Sequence, residues 1–484
     1  MNNSNRLSKR INLFKNEPSP IKAIMNYGDP QYIQKSGINP DELISFAGGW
    51  SNHAAPENLR RAYENILADP ERFHFSGNYS TSIGDREFRN ALCKFENYLY
   101  GMDINEKQIA VGLGSTQLAN DLFSVLLDPD DKVVLLDPSY SNYPEQLSRG
   151  NHGVSILRFS VIDEDKWEYI ADQKTEEFCK YILKNKPKIV LLISPDNPTS
   201  KILSQEFVQA VLDSVKKIDG YLIIDFAYKE LVYEKAVPDY FSWAPTENFI
   251  SVRTNSKWCR SLGRRIGWLE APEFIIEAME SVQSYTILSP DKLHQMAFGK
   301  FITTSIEDGS LDIYLEKIRK LYKNAAEKTA EIIQKHLDFP IIQPEGGLYI
   351  FMKVNTDSTE FVETVLTKDS KKLEYQKKAI EKLTKYCGKE PGKYKVPEEL
   401  LTEGEITKKD YHTVSGLKPG EIMVLENLVS FEMPYIQFRG DILIFCTTKI
   451  HGNKKLTFDY TPENEERVIN ENIRRLYNEQ ISIV

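Results

Sequence analysis

The chain is short of the residue patterns that mark several large function classes. Its seven histidines are dispersed, with no HExxH or other paired spacing, which gives no sequence ground for a catalytic metal. The five cysteines are odd in number, widely separated and never in a CxxC pair, so they read as free thiols of a reducing compartment. No apolar run approaches the roughly 18 residues needed to span a bilayer. The opening stretch MNNSNRLSKRINLFKNEPSP lacks the apolar core and cleavage site of a secretory signal. A cytoplasmic protein with no membrane contact is the expectation. Positive charge is also in deficit: 61 Lys and Arg against 70 Asp and Glu give a net charge of −9, which neither nucleic acid nor an anionic membrane would attract as a whole. A Walker A motif is absent, and the GxGxxG begun by Gly112 and Gly114 fails at Gln117, so a nucleotide-dependent enzyme has no fingerprint here.

What is present is the balance of a globular enzyme, 41% hydrophobic and 27% charged over 484 residues. Between about residues 107 and 270, short apolar runs alternate with helical stretches: QIAVGLG, KVVLLDPS, VSILRFS, KIVLLISP, YLIIDFAY, NFISVRTNS and RIGWLEA. Continuous β-branched runs of this kind suit strands buried on both faces, in a mostly parallel sheet flanked by helices. STQLANDLFSVLLD and SQEFVQAVLDSVKKI carry the apolar spacing of crossover helices. The reading is therefore α/β, with a large domain over 46–285. Residues 286–484 change to long charged helices, then a strand pair around IIQPEGGLYIFMKV, and form a smaller α+β domain. A Lys/Glu-rich insertion at about 366–432 reads as solvated, and residues 1–45 form an N-terminal arm that joins the small domain.

In open α/β sheets ligands settle beyond the carboxyl ends of the strands, and the unusual residues stand there. Gly114, Ser115 and Thr116 lie where a strand gives way to a helix, a place for a phosphate or simply a capped helix start. Tyr140 in DPSYSNY, Asn197 in SPDNPTS, and Asp225 and Tyr228 in IIDFAY each follow an apolar run. An aromatic there can stack on a planar ring, the amide and phenol can bond a ring oxygen, and the carboxylate can hold a proton on a ring nitrogen. Taken singly, each has a plainer explanation as a turn starter, cap or packing residue. The stretch TNSKWCRSLGRRIGW then places Lys257 just past a strand and Arg265 between Gly263 and Gly267. Arg253, Arg260 and Arg264 read as ordinary solvated charges.

In order and spacing, over roughly residues 40–355, these motifs resemble the pyridoxal 5′-phosphate (PLP) enzymes of fold type I, in the class I/II aminotransferase group. The family's Ser-Lys followed by Gly-x-Arg-x-Gly is matched by Ser256-Lys257 and Gly263 to Gly267. The resemblance implies that Lys257 forms the Schiff base, Arg265 binds the phosphate with Gly114, Ser115, Thr116 and Thr254, and Tyr140 stacks on the ring. It assigns Asn197 and Tyr228 to the ring's phenolic oxygen and Asp225 to its nitrogen. Tyr79 matches a tyrosine that reaches the phosphate of a neighbouring subunit, which implies a homodimer with a shared site. Gly49 and Trp50 in FAGGW resemble a substrate-covering segment, and PEGGLYIF a small-domain strand. No metal enters the scheme, and the partner is a small amine or amino acid.

The chemistry follows from these residue types. A lysine amine can form an imine with the cofactor, exchange it for a substrate amine and then move the Cα proton. An anionic Asp225 keeps the ring an electron sink, and a guanidinium suits a phosphate dianion bidentately. The pattern departs from the family at two places. The strand-like DILIFCTTK (441–449) has no arginine for a substrate carboxylate, so Arg439 either serves that role in a shifted register or is a turn residue. The glycine that often follows NPT is Ser200. These departures leave two reactions open: transfer of an amino group between an amino acid and a 2-oxo acid, or a lyase, cyclase or related amino-acid-modifying reaction on the same fold. A non-enzymatic, cofactor-binding regulator is disfavoured because a DNA-binding extension finds no room in the first 40 residues.

Overall fold

The computed structural model describes residues 49–354 apart from 151, 152, 235 and 338, with Ser358 and a few isolated positions before 49. The seven apolar runs become seven strands of one sheet. They are β1 (Ile109–Gly112), β2 (Lys132–Asp137), β3 (Ser155–Ser160), β4 (Ile189–Ile193), β5 (Tyr221–Asp225), β6 (Phe249–Thr254) and β7 (Gly267–Glu270). Their spatial order is β1-β7-β6-β5-β4-β2-β3. The pairs β2–β3, β2–β4, β4–β5 and β5–β6 are parallel, whereas β7 runs antiparallel to both β1 and β6.

Ten helices of the described chain are α1 (Glu57–Leu67), α2 (Pro70–Ser76), α3 (Arg86–Tyr100), α4 (Ser115–Leu126) and α5 (Asn142–Arg149), then α6 (Thr175–Asn185), α7 (Gln205–Lys216), α8 (Glu273–Thr286), α9 (Lys292–Glu307) and α10 (Ser310–Ile332). The alternation of side chains along a strand feeds two cores. Val133 and Leu135 share one with residues of α4 and α8, while Val134 and Leu136 share the other with α6 and α7. That explains why the strands read as unbroken apolar runs. A third core joins Phe95 of α3, Phe298 and Phe301 of α9, and the fully buried Trp258 and Trp268. Thr286, where the small domain is expected to begin, is the last residue of α8, and α9 packs on α1 and α3 within this third core. The strand pair expected around IIQPEGGLYIFMKV is present as Ile341–Ile342 against Phe351–Met352, antiparallel. No helix among the described residues is long and apolar enough to cross a membrane.

The topology carries one consequence for function. β1, β2, β4, β5 and β6 point the same way, so the residues that follow them, from Ser115 to Lys257, emerge at a single edge. β7 is antiparallel and begins with Gly267 opposite both Thr254 and Gly112. Arg265, just before it, is thereby returned to that same edge.

Candidate active site

Lys257 lies in the loop from β6 to β7, and its neighbour pins that loop. The indole of Trp258 is stacked between Phe95 and Phe301, with centroids 5.1 and 5.9 Å away. The Trp258 carbonyl accepts from the Tyr314 hydroxyl at 3.0 Å and pairs with His53 Nε2 at 2.9 Å. Burial depresses the His53 pKa to about 4, so the ring is neutral: Nε2 donates to the carbonyl and Nδ1 accepts from the Tyr322 hydroxyl at 2.7 Å. The Lys257 residue is half-buried and its Nζ donates to the Gly49 carbonyl at 2.5 Å. Enclosure of the amine, reinforced by the charge of Arg265 and opposed by Asp225, lowers its pKa to about 8. An amine so placed loses its proton far more readily than a surface lysine.

Asp225 ends β5 and is 4% exposed. The Tyr143 hydroxyl donates to its Oδ2 at 2.5 Å and the Ala227 N–H to its Oδ1 at 2.9 Å. Burial nevertheless raises its pKa, with the hydrogen bonds from Tyr143 and Ala227 opposing. Among the described residues it forms no ion pair, so a cation seated against it would be stabilised directly. Tyr140 stands beside it, half-buried and edge-on to Tyr143 with centroids 5.6 Å apart.

At the other end of the site the β1–α4 turn passes through Gly114, at φ +85°, and among the described residues no side chain caps the start of α4. Gln117, which spoils the dinucleotide fingerprint, instead accepts the Leu113 N–H through its side chain at 2.7 Å. Arg265 reaches this turn, donating through Nη2 to the Leu113 carbonyl at 3.2 Å and through Nη1 to Leu262 at 2.8 Å. Two glycines permit the approach. A Cβ on Gly114 would stand 2.6 Å from Arg265 Nη2, and one on Gly267 would stand 2.7 Å from the Arg253 carbonyl. An exposed guanidinium beside an uncapped helix N-terminus is chemistry for an anion. The half-buried Ser115 and exposed Thr116 open α4 at that point. Thr254 turns inward: its hydroxyl lies 3.1 Å from the Ile266 carbonyl and 2.9 Å from the Ser256 hydroxyl.

Asn197 and Tyr228 converge on one phenol. The Asn197 amide donates to the Tyr349 hydroxyl at 3.2 Å, and the Tyr228 and Tyr349 hydroxyls are 2.6 Å apart. Lys257 Nζ lies 5.7 Å from the centre of the Tyr228 ring. Gly49 sits between amine and phenol, since a Cβ there would overlap the Tyr349 hydroxyl and stand 3.3 Å from Lys257 Nζ. Trp50 follows it, half-buried. Tyr79 is apart from this cluster and 80% exposed, and Arg439 lies outside the described residues.

Residues 46–388 match the family model described as aminotransferase class I and II. The chain belongs to that family. Class I and II aminotransferases use pyridoxal phosphate, and this one is a PLP-dependent transferase of that kind. It is 26% identical over 331 residues to the probable aspartate/prephenate aminotransferase of Thermus aquaticus, covering 68% of this chain and 81% of the relative. Over 336 residues it is likewise 26% identical to the asparagine–oxo-acid transaminase of Streptococcus mutans, covering 67% and 81%. The solved aspartate aminotransferase of Thermus thermophilus with maleate shares the fold, with a TM-score of 0.64 at 24% identity over 74% of this chain and 89% of that one.

Three residues of this aminotransferase went unassigned or misassigned in the sequence. Tyr143 and Tyr349 lie inside the motifs DPSYSNY and PEGGLYIF, but tyrosine spacing alone cannot show which phenol turns toward a site. Arg253 is corrected outright: it is fully buried, not solvated. Its guanidinium meets Glu96 and Glu230, each at 2.6 Å, and Glu270 at 3.5 Å, while Lys229 pairs with Glu96 at 2.9 Å. Arg260 is exposed, and Arg264 is half-buried over the Tyr63 ring, 5.4 Å from its centre.

Proposed function

We propose that the protein moves an amino group between an amino acid and a 2-oxo acid, with Lys257 Nζ bonding the cofactor and then carrying the substrate Cα proton. One observation supports this above the rest: a lowered-pKa amine, a buried carboxylate without an ion pair among the described residues and a guanidinium at a helix start share one sheet edge. That donor set fits the cofactor's aldehyde, ring nitrogen and phosphate. When bound, PLP supplies a protonated ring that takes up the electron pair of the substrate Cα–H bond. Asp225 keeps that ring nitrogen protonated, and the charge that burial makes costly is answered by the cation it faces. Arg265, Gly114, Ser115 and Thr116 would hold the phosphate, Tyr140 would stack on the ring, and Asn197 and Tyr228 would donate to its phenolic oxygen. Thr254 acts through the loop it closes. Gly49 and Trp50 line the substrate side, and Arg439 is the candidate for the substrate carboxylate.

The names of the relatives make aspartate the first donor to test. Purified enzyme incubated with aspartate should convert stoichiometrically to the aminated cofactor, and 2-oxoglutarate should reverse the spectrum. Release of ammonia or of a ring-closed product without that conversion would assign a lyase or cyclase instead.

The reading extends to a cytoplasmic homodimer. Tyr79, Phe73, Phe75, Tyr285 and Leu288 are exposed at 80, 54, 51, 74 and 51%, and Ser80 and Lys292 join their segments through the Pro290 carbonyl at 3.1 Å and the Phe75 ring at 4.4 Å. Exposed apolar groups in such number mark an interface. If Tyr79 serves the partner's site, mixing inactive Lys257→Ala and Tyr79→Ala chains restores activity, because one site of each heterodimer is intact. The small domain in this scheme comprises residues 1–45 and 286–484, the Lys/Glu-rich stretch included.

A further inference from the structure

We propose that Tyr349 is a positioning residue of this site. Its phenol, fixed from behind by Ser200, sets the directions in which Asn197 and Tyr228 present their hydrogens to the cofactor's ring oxygen. The inference rests on the roles given to Asn197 and Tyr228 above.

Hydrogen counting carries the argument. An amide side chain has two N–H donors, and a phenol has one O–H and can also accept. Asn197 gives one N–H to the Tyr349 hydroxyl at 3.2 Å and keeps the other. The Tyr228 and Tyr349 hydroxyls are 2.6 Å apart and either could donate; we assign the hydrogen between them to Tyr349, whose oxygen already accepts from Asn197. The hydrogen of Tyr228 is thereby turned away from Tyr349. Two donors remain, one on Asn197 and one on Tyr228, which is the pair a ring oxygen between them would use. A phenylalanine at 349 would keep the packing, the Tyr228 and Tyr349 rings being edge-on with centroids 5.6 Å apart, and would lose the ordering.

The backbone at 349 is held against both donors' turns. Ser200 is fully buried at φ +57°, its hydroxyl accepts the Tyr349 N–H at 3.1 Å, and its carbonyl accepts the N–H groups of Glu345 and Gly346 at 2.8 and 3.2 Å. This is the same chain turn that carries Asn197. On the other side the Gly347 N–H donates to the Leu231 carbonyl and the Tyr233 N–H to the Glu345 carbonyl, each at 3.0 Å, next to Tyr228. The Glu345 carboxylate closes the clamp on Lys201 and on the Ile202 N–H. A glycine after NPT would offer no hydroxyl, so the serine of this chain bears directly on the tyrosine.

The test uses full-length wild type, Tyr349→Phe and Ser200→Ala, each reconstituted with PLP, and reads the pH titration of the visible band together with cofactor affinity. Donors aimed at the ring oxygen favour its anionic form, so disordering them raises the midpoint. Tyr349→Phe should shift that midpoint up by about one pH unit and weaken PLP binding about tenfold, the equivalent of one ordered hydrogen bond, with an unchanged melting temperature. Ser200→Ala should move both in the same direction by less. A Tyr349→Phe protein with wild-type midpoint and affinity would overturn the inference and leave the aminotransferase reading intact. A colourless wild type would overturn both.

Discussion

Arg253 and Lys257 stand four residues apart on the same strand and loop, and both bring a positive charge into the interior. Their surroundings are opposite. Burial opposes the charge on Arg253, but Glu230, Glu96 and Glu270 more than reverse that, and its pKa lies well above the ordinary value. Among the described residues Lys257 has one backbone carbonyl as hydrogen-bond partner, and burial together with the charge of Arg265 lowers its pKa to about 8. The same desolvation is cancelled at one position and left standing at the other. A saturated charge is structural and inert; an unsaturated one is available for chemistry.

The strongest test of this contrast is to remove each cation. Lys257→Ala should lower kcat by about 10^4-fold or more, because anchoring and proton transfer are lost together, while urea unfolding stays near wild type. Arg253→Met should do the reverse, costing about 3–5 kcal/mol in urea unfolding, since the carboxylates it leaves are buried without a cation, with kcat per folded molecule retained. Equal stability losses in the two variants would erase the distinction.

Asp225→Asn comes next. It should cut kcat about a hundred- to a thousandfold through loss of the charge facing the ring. Without cofactor its stability at pH 7 should match or exceed wild type, because burial raises the Asp225 pKa and the native fold therefore disfavours the anion.

Two pH measurements sharpen the comparison further. Glu270 is pushed up to about 7, first by burial and then by the charge of Glu96. Its folded pKa is above its unfolded one, so it favours the folded state at low pH. That contribution is lost as pH rises from about 4.5 to about 7, and Glu270→Gln should remove that slope from the stability profile. The smallest effect concerns the amine. Reaction of Lys257 with an amine-directed reagent in the cofactor-free protein should rise with a midpoint near 8, and Arg265→Gln should move the midpoint upward.

Much of this architecture was legible in the sequence because it rests on local patterns. Strands buried on both faces read as unbroken apolar runs, and six of the seven were visible that way; the edge strand β3 has exposed Ser155, Arg158 and Ser160 and showed through its β-branched and aromatic residues instead, while α4 and α7 showed through their helical spacing. Parallel strands then force the residues after them to one edge, so Lys257, Asp225, Asn197 and the Gly114 turn could be grouped without coordinates. What stayed hidden depends on contacts distant in the chain. The burial of Arg253 needs Glu96 from α3, 157 residues away, and no periodicity announces that pairing. Tyr349 meets Asn197 across 152 residues. Ser200 showed only as a departure from a motif, and its hydroxyl gains meaning once Tyr349 is placed upon it.

The most direct test of the whole account is borohydride reduction of the PLP-loaded protein followed by peptide mapping. The account predicts a single pyridoxyl adduct on the peptide that contains Lys257 and bleaching of the visible band. An adduct on a different lysine, or none with the band unchanged, would contradict it.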